Sequence, residues 1–226
     1  MAKDCCKVDY DEHFSADDAR RDILDYRAHG AQGSTRRLLD ALIAEGVEAG
    51  TLLDIGGGVG VVQLELLRAG VASSLDVDAS APYIAVARAE AAEEGFGAKT
   101  EYRHGDFVDL ADGVEPADIV TLDRVVCCYG DVAGLVTQSA RRARRLYGLV
   151  YPVRRWPLRI VATIMNFVTR LTGGDYRMYV HDPRLVDRLI REAGLEPRYQ
   201  HAGWVWQTVV YARTGPATAA ARILPA

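Results

Sequence analysis

Short apolar runs of strand type alternate with helix-type stretches over most of this chain, and that alternation constrains the fold more than any other feature. Thr51–Ile55, Ser73–Val77, Thr100–His104, Ala117–Leu122 and Leu146–Tyr151 read as strands. Val61–Ala69, Pro82–Glu94 and Val132–Leu146 read as the helices between them. A further helix is expected over Asp182–Ala193, with Asp182 as cap, Pro183 at its first position and Gly194 past its end. Pro197–His201 and Val205–Ala212 read as a terminal antiparallel pair around Ala202-Gly203. The pattern predicts a Rossmann-like, doubly wound α/β fold. Its seven-stranded sheet is mostly parallel, the last strand is antiparallel, and helices cover both faces. In such a sheet the ligand crevice lies beyond the carboxyl ends of the strands.

Ahead of the first strand, residues from about Asp11 to Tyr26 read as a short helical arm. Ser34 or Thr35 is a candidate cap for the next helix, whose Leu38, Leu39, Leu42 and Ile43 share one face. The expected organisation is an arm over 1–33, a main domain over 34–213 with a lid-like insertion at 152–180, and a flexible tail over 214–226. The 226 residues, 49% hydrophobic and 26% charged, suit one domain with a sizeable core. A net charge of −4 gives no global basic field, so nucleic acid is not an expected partner. The run Arg141-Arg142-Ala143-Arg144-Arg145 reads as a solvated helix face near a helix C-terminus. No secretory signal is visible, and the apolar stretch Ile160–Thr169 is too short for a membrane span, so a cytoplasmic monomer or homodimer is expected. Cys5-Cys6 and Cys127-Cys128 lack the C-x-x-C spacing of a zinc site, so free thiols and no metal are expected.

The chemistry centres on Leu53-Asp54-Ile55-Gly56-Gly57-Gly58-Val59-Gly60, between a strand and a helix. Glycines let a backbone turn tightly and approach a ligand closely. The spacing is not the G-x-G-x-x-G of a dinucleotide site, and no Gly-Lys-Ser/Thr follows as in a triphosphate loop. Asp54 would repel a pyrophosphate but suits a cationic ligand. Asp78, at the end of the second strand, stands where a carboxylate can accept both hydroxyls of a ribose. Asp76 is an alternative for that role, and Gly57 reads as a turn glycine. Asp106 either accepts from an adenine amino group, with Phe107 packed on the ring, or caps a turn.

These residues resemble class I S-adenosylmethionine-dependent methyltransferases. The matching pieces are LLDIGGGVG at 52–60, LDVDASAPYIAVAR at 75–88, HGDFVDL at 104–110 and ADIVTLDRVVCCY at 117–129. The resemblance implies S-adenosylmethionine as cofactor. Asp54, Gly56, Gly58 and Gly60 would border its methionine part, Asp78 and Ala79 its ribose, Asp106 and Phe107 its adenine. Asp123 would face cofactor or substrate. The stretch DYRAHGAQGSTRRLLDAL, the LDRVVCCY loop and the insertion before a proline-capped helix are similar to magnesium-protoporphyrin O-methyltransferases. The chain departs from that family in GGGVG for GCGTG and in Cys128-Tyr129 for histidine-tyrosine.

The implied activity is methyl transfer to a small molecule, with oxygen of a carboxylate or hydroxyl favoured. His181, Tyr129 and Asp123 are the candidate catalytic residues, with Tyr129 placed to shape the pocket. His181 and His104 are candidate bases for a hydroxyl acceptor, which a carboxylate would not need. His181 alternatively only precedes the Asp182 cap. Cys127 and Cys128 read as packing residues, with a thiol or metalloid site as the alternative. The insertion Pro152–Val180 is expected to be an amphipathic lid helix over the crevice, hinged at Gly173-Gly174, or else a packed helix or oligomer contact. A non-catalytic cofactor-binding protein, a macromolecule methyltransferase and a nicotinamide or nucleotide-sugar enzyme remain the competing classes.

Overall fold

The computed structural model describes residues 14–172, 174 and 176–214. Cys5, Cys6, the start of the expected arm, Gly173 and the tail from 215 lie outside them. The arm helix α1 spans Ala16–His29, where Ser15 and Asp18 close a reciprocal capping box. Helix α2 spans Gly33–Ala44. Its N-cap is Gln32, so neither Ser34 nor Thr35 is the cap expected from sequence. Both are buried in the first turn instead, where the Thr208 hydroxyl donates to the Ser34 carbonyl at 3.2 Å and the Thr35 hydroxyl donates to Asp123 at 2.6 Å.

Strands β1 (Thr51–Ile55), β2 (Ser73–Asp78), β3 (Thr100–His104), β4 (Ala117–Asp123) and β5 (Ala143–Pro152) pair in parallel. Strands β6 (Leu195–Ala202) and β7 (Trp206–Arg213) complete one seven-stranded sheet of order β3-β2-β1-β4-β5-β7-β6. Only β7 runs against its neighbours. This is the doubly wound sheet read from the alternation. Its order reverses between β1 and β4, where a ligand crevice opens in such folds.

Helix α3 spans Val61–Arg68 and α4 spans Ala81–Glu93. The four-residue α5 spans Phe107–Leu110, α6 spans Val132–Arg142 and α8 spans Pro183–Glu192. The long α7, Trp156–Leu171, stands between β5 and α8. Alternation along each strand decides which layer it feeds. Leu53, Val120, Tyr147 and Val209 pack with α6 and α8 on one face. Leu52, Ile119, Leu146 and Val210 pack with α2 and α3 on the other. Helix α1 closes a smaller cluster with α4 through Ala19, Ile23, Tyr26 and Tyr83. It is tied there by an Arg27–Glu90 ion pair and by the Tyr83 hydroxyl on Asp22 at 2.7 Å.

One expected boundary moves. The helix anticipated to run to Leu146 stops at Arg142, and Ala143 begins β5 by pairing with Ala117. Ala143 and Leu146 point into the core while Arg144 is exposed. The arginine run is therefore split between a helix end and a strand foot. It lies at the end of the sheet opposite the crevice.

Candidate active site

A cavity of about 570 Å³ opens at the carboxyl ends of β1, β2 and β4. That volume suits a small-molecule site. The loop after β1 forms its floor. Asp54 is fully buried, and the Thr121 hydroxyl donates to its Oδ1 at 2.7 Å. Its Oδ2 has no hydrogen-bond partner among the described residues. Burial pushes the Asp54 carboxyl up to about 7; the Thr121 hydrogen bond opposes the rise, and the Asp123 and Asp78 charges add to it.

The glycines have separate reasons to be there. Gly60 is the N-cap of α3 in the left-handed region, φ +85°, and packs on Ala87 without lining the cavity. Gly57, read from sequence as a turn glycine, has no positive φ. A Cβ there would stand 2.8 Å from Asp76 Oδ1 and 3.0 Å from Asp54 Oδ2. Its N–H donates to Asp76 Oδ1 at 3.1 Å. Gly57 thus lets the chain pass between two buried carboxylates. Gly57→Ala is expected to lower stability by about 1–3 kcal/mol, as overpacking of a filled interior does, read from the denaturant midpoint at unchanged slope.

The two acidic candidates on β2 separate clearly. Asp76 is wholly buried beneath Gly57 and does not line the cavity, whereas Asp78 does. Asp78 accepts from Gly58 N at 3.0 Å and Ser80 N at 2.8 Å. Burial raises the carboxyls of both residues, for Asp76 well above the usual range with Asp78 and Asp54 adding to it. Ala79 lines the wall beside Asp78.

Asp106 and Phe107 also line the cavity. Asp106 caps α5, accepting from Val108 N at 2.9 Å, and also accepts the Tyr129 hydroxyl at 2.9 Å. The two sequence readings of Asp106 are therefore compatible: it is a cap with a face toward the cavity. Asp123, at the end of β4, is partly buried, and desolvation raises its carboxyl. The Thr35 hydroxyl holds Oδ2; Oδ1 has no hydrogen-bond partner among the described residues, with Arg124 Nε 3.8 Å away.

Several wall residues carry no local sequence signal. Phe14, Tyr26 and Thr35 come from the N-terminal segment, Tyr176 from beyond α7, and Trp206 from β7. Arg124 is the one that adjacency to Asp123 would have suggested. It sits at φ +64°, a left-handed backbone rare for a long side chain, fixed by its N–H on the Val150 carbonyl at 2.9 Å. Its guanidinium lies 5.4 Å over the Trp206 ring and is the one cation among the described wall residues.

The histidine candidates fall outside the cavity wall. His181 Nε2 is 2.9 Å from the Tyr129 carbonyl, its ring stacks on Tyr179 at 5.6 Å, and burial lowers its basicity. It braces the loop that carries Tyr129. His104 Nε2 lies 3.1 Å from the Ala79 carbonyl on the exposed side of β2 and β3. Cys127 and Cys128 both line the wall. Cys127 Sγ donates to the Arg124 carbonyl at 3.1 Å, and Cys128 Sγ is 3.1 Å from the Tyr176 hydroxyl. None of residues 156–171, the span of α7, lines the cavity. The segment after it supplies the cover: Tyr176 lines the wall, and Tyr179 N donates to the Cys127 carbonyl at 2.7 Å.

Residues 53–146 match the family model described as a methyltransferase domain. The chain has the fold of class I S-adenosylmethionine-dependent methyltransferases. It is 30% identical over 155 residues to a ubiquinone biosynthesis O-methyltransferase of Azorhizobium caulinodans. That match covers 68% of this chain and 58% of the relative. A magnesium protoporphyrin IX methyltransferase from Synechocystis PCC 6803, solved with bound SAH, superposes with a TM-score of 0.68 at 17% identity, covering 91% of this chain and 98% of that one. An O-methyltransferase family 2 protein from Planctomyces limnophilus, solved with apigenin, gives 0.63 at 17% identity, covering 88% and 62%.

Proposed function

We propose that the protein transfers the methyl group of S-adenosylmethionine to an oxygen of a small molecule, a carboxylate or a hydroxyl. The observation that carries this reading is the partnerless, buried Asp54 Oδ2 at the floor of a glycine-lined cavity whose wall also holds Asp78 and Asp106. An orphaned carboxylate oxygen is costly unless a cation or donor completes it. The ammonium of a methionine moiety is such a group, and Asp78 fits the ribose hydroxyls. When bound, the cofactor supplies a sulfonium-activated methyl.

The chain's own residues then position and orient. Asp54, Gly56 and Gly58 hold the methionine end, Asp78 and Ala79 the ribose, Asp106 and Phe107 the adenine. Gly60 supports the loop through α3. Arg124 attracts an anionic acceptor. Asp123 Oδ1, with its raised proton affinity, takes the proton of a hydroxyl acceptor, whereas an ionised carboxylate needs only alignment. Tyr129 and His181 act by fixing the post-β4 loop. The O-methyltransferase names of the relatives above support oxygen as the acceptor atom.

The test is calorimetric titration with S-adenosylmethionine and with NAD, followed by labelled methyl transfer to pooled metabolites. Binding of the first alone, with label transferred to an oxygen, is the expected result. Binding of NAD instead overturns the reading. Cofactor binding with no transfer to any pool would favour a non-catalytic binding protein.

A further inference from the structure

Helix α7 has only Ala162 buried. Ile160, Ile164, Phe167, Val168 and Leu171 recur at helical spacing on one face and are each about half-exposed or more, up to 70% for Leu171. Trp156, 74% exposed, opens the helix, and Trp204, 72% exposed, stands beside that end under the Arg155 guanidinium at 5.2 Å. The opposite face holds the protein, with Ala162 buried and the Asn166 side chain exchanging two 2.8 Å hydrogen bonds with the Met178 backbone. A continuous outward apolar face of this size marks an interaction surface.

The charges around it choose the partner. Of the chain's 27 basic and 31 acidic residues, residues 152–172 contain Arg154, Arg155, Arg159 and Arg170 and no acid. Arg159 and Arg170 lie eleven residues apart, on one flank of the apolar stripe. A second copy packed face to face would bring arginines against arginines with no helix carboxylate to answer them. An anionic surface with an apolar interior answers both features. Aliphatic and aromatic side chains enter the acyl boundary while flanking arginines reach the headgroups. The helix has 16 residues, about 24 Å at 1.5 Å per residue, short of a roughly 30 Å hydrocarbon core. No helix among the described residues is long and apolar enough to cross a membrane, so α7 would lie in the interface plane.

We propose that the outward face of α7, with Trp204, docks the protein on the surface of an anionic lipid bilayer. The proposal is independent of the acceptor chemistry.

The test uses the full chain and sedimenting vesicles of phosphatidylcholine with and without phosphatidylglycerol. Binding to the anionic vesicles, weakened by salt and accompanied by a blue shift of tryptophan emission, is expected. Ile164→Glu and Phe167→Glu should each weaken it about tenfold or more, the scale of losing one buried large apolar side chain. Both side chains are exposed and neither lines the cavity, so the melting temperature and S-adenosylmethionine affinity should not move. Failure of the wild type to sediment with anionic vesicles overturns the proposal. So does vesicle binding that neither variant weakens. So does a dimer in analytical ultracentrifugation that F167E dissociates, since the face would then belong to a second copy.

Discussion

Asp78→Ala is expected to weaken S-adenosylmethionine binding by about two orders of magnitude or more. Each hydrogen bond to a charged group contributes about 1.5–3 kcal/mol, and a carboxylate facing a ribose accepts two. Asp78 is held for that purpose by the Gly58 and Ser80 N–H groups, which fix the carboxylate plane and leave a face toward the cavity. Removing it also frees the Gly58 N–H, so the loss combines a missing acceptor with a loosened loop. Asp78→Asn, which keeps the shape and one acceptor oxygen, should fall between the two. The matched control is Asp76→Asn. Asp76 is the same residue type on the same strand face, more deeply buried, but touches Gly57 rather than the cavity. Its substitution should alter stability and leave affinity within a few-fold. Equal affinities for wild type and Asp78→Ala, measured by calorimetry, would overturn the ribose assignment. A large loss in Asp76→Asn alone would transfer that role to the deeper residue.

The Asp76–Asp78 pair also shows where sequence reading stops. Two acids two residues apart on one strand point to the same face, so periodicity cannot tell which reaches the ligand. What separates them is depth, set by where Gly57 crosses the sheet edge. The alternation of strands and helices was legible because each element's apolar spacing is local. So were the α8 cap and the glycine loop, which depend on neighbours within a few residues. Thr35 was misread as a cap because its partner, Asp123, is 88 residues away. Ala143–Arg145 was misread as helix because β5 gains its first residues from pairing with β4, a long-range contact that overrides local propensity. Phe14 and Tyr176, whose rings meet edge to face at 5.9 Å, lie 162 residues apart in the chain and have no short-range signature. The apolar run of α7 was visible in the sequence, but only the structure shows which side of the helix meets the protein.

Stability and cofactor affinity are expected to respond to pH in opposite directions. Asp54 titrates near 7 in the fold against 3.8 for an ordinary aspartate. Between those values the native protein holds a proton that the unfolded chain has released. The unfolded state therefore binds fewer protons, and stability falls as pH rises from about 4 through 7, then levels. A shift of this size corresponds to about 4 kcal/mol, an upper figure because Asp76, Asp78 and Asp123 share the same field. Binding of a cation beside Asp54 favours the ionised carboxylate. Affinity for S-adenosylmethionine should then fall by up to about tenfold per pH unit below 7 and reach a plateau above it. Binding near neutral pH should release a proton, which appears as a dependence of the calorimetric enthalpy on the buffer's ionisation enthalpy. The ligand-free melting temperature should be higher at pH 6 than at pH 8, and saturating cofactor should narrow that difference. Asp54→Asn cannot release the proton, so it should bind weakly with a flatter pH profile and show a smaller loss of stability between the two pH values. A wild-type affinity that stays level from pH 6 to pH 8, with no buffer-dependent enthalpy, would mean that Asp54 is already ionised without its ligand. The orphaned oxygen would then have a partner in solution, and the cation-binding role assigned to it would fail.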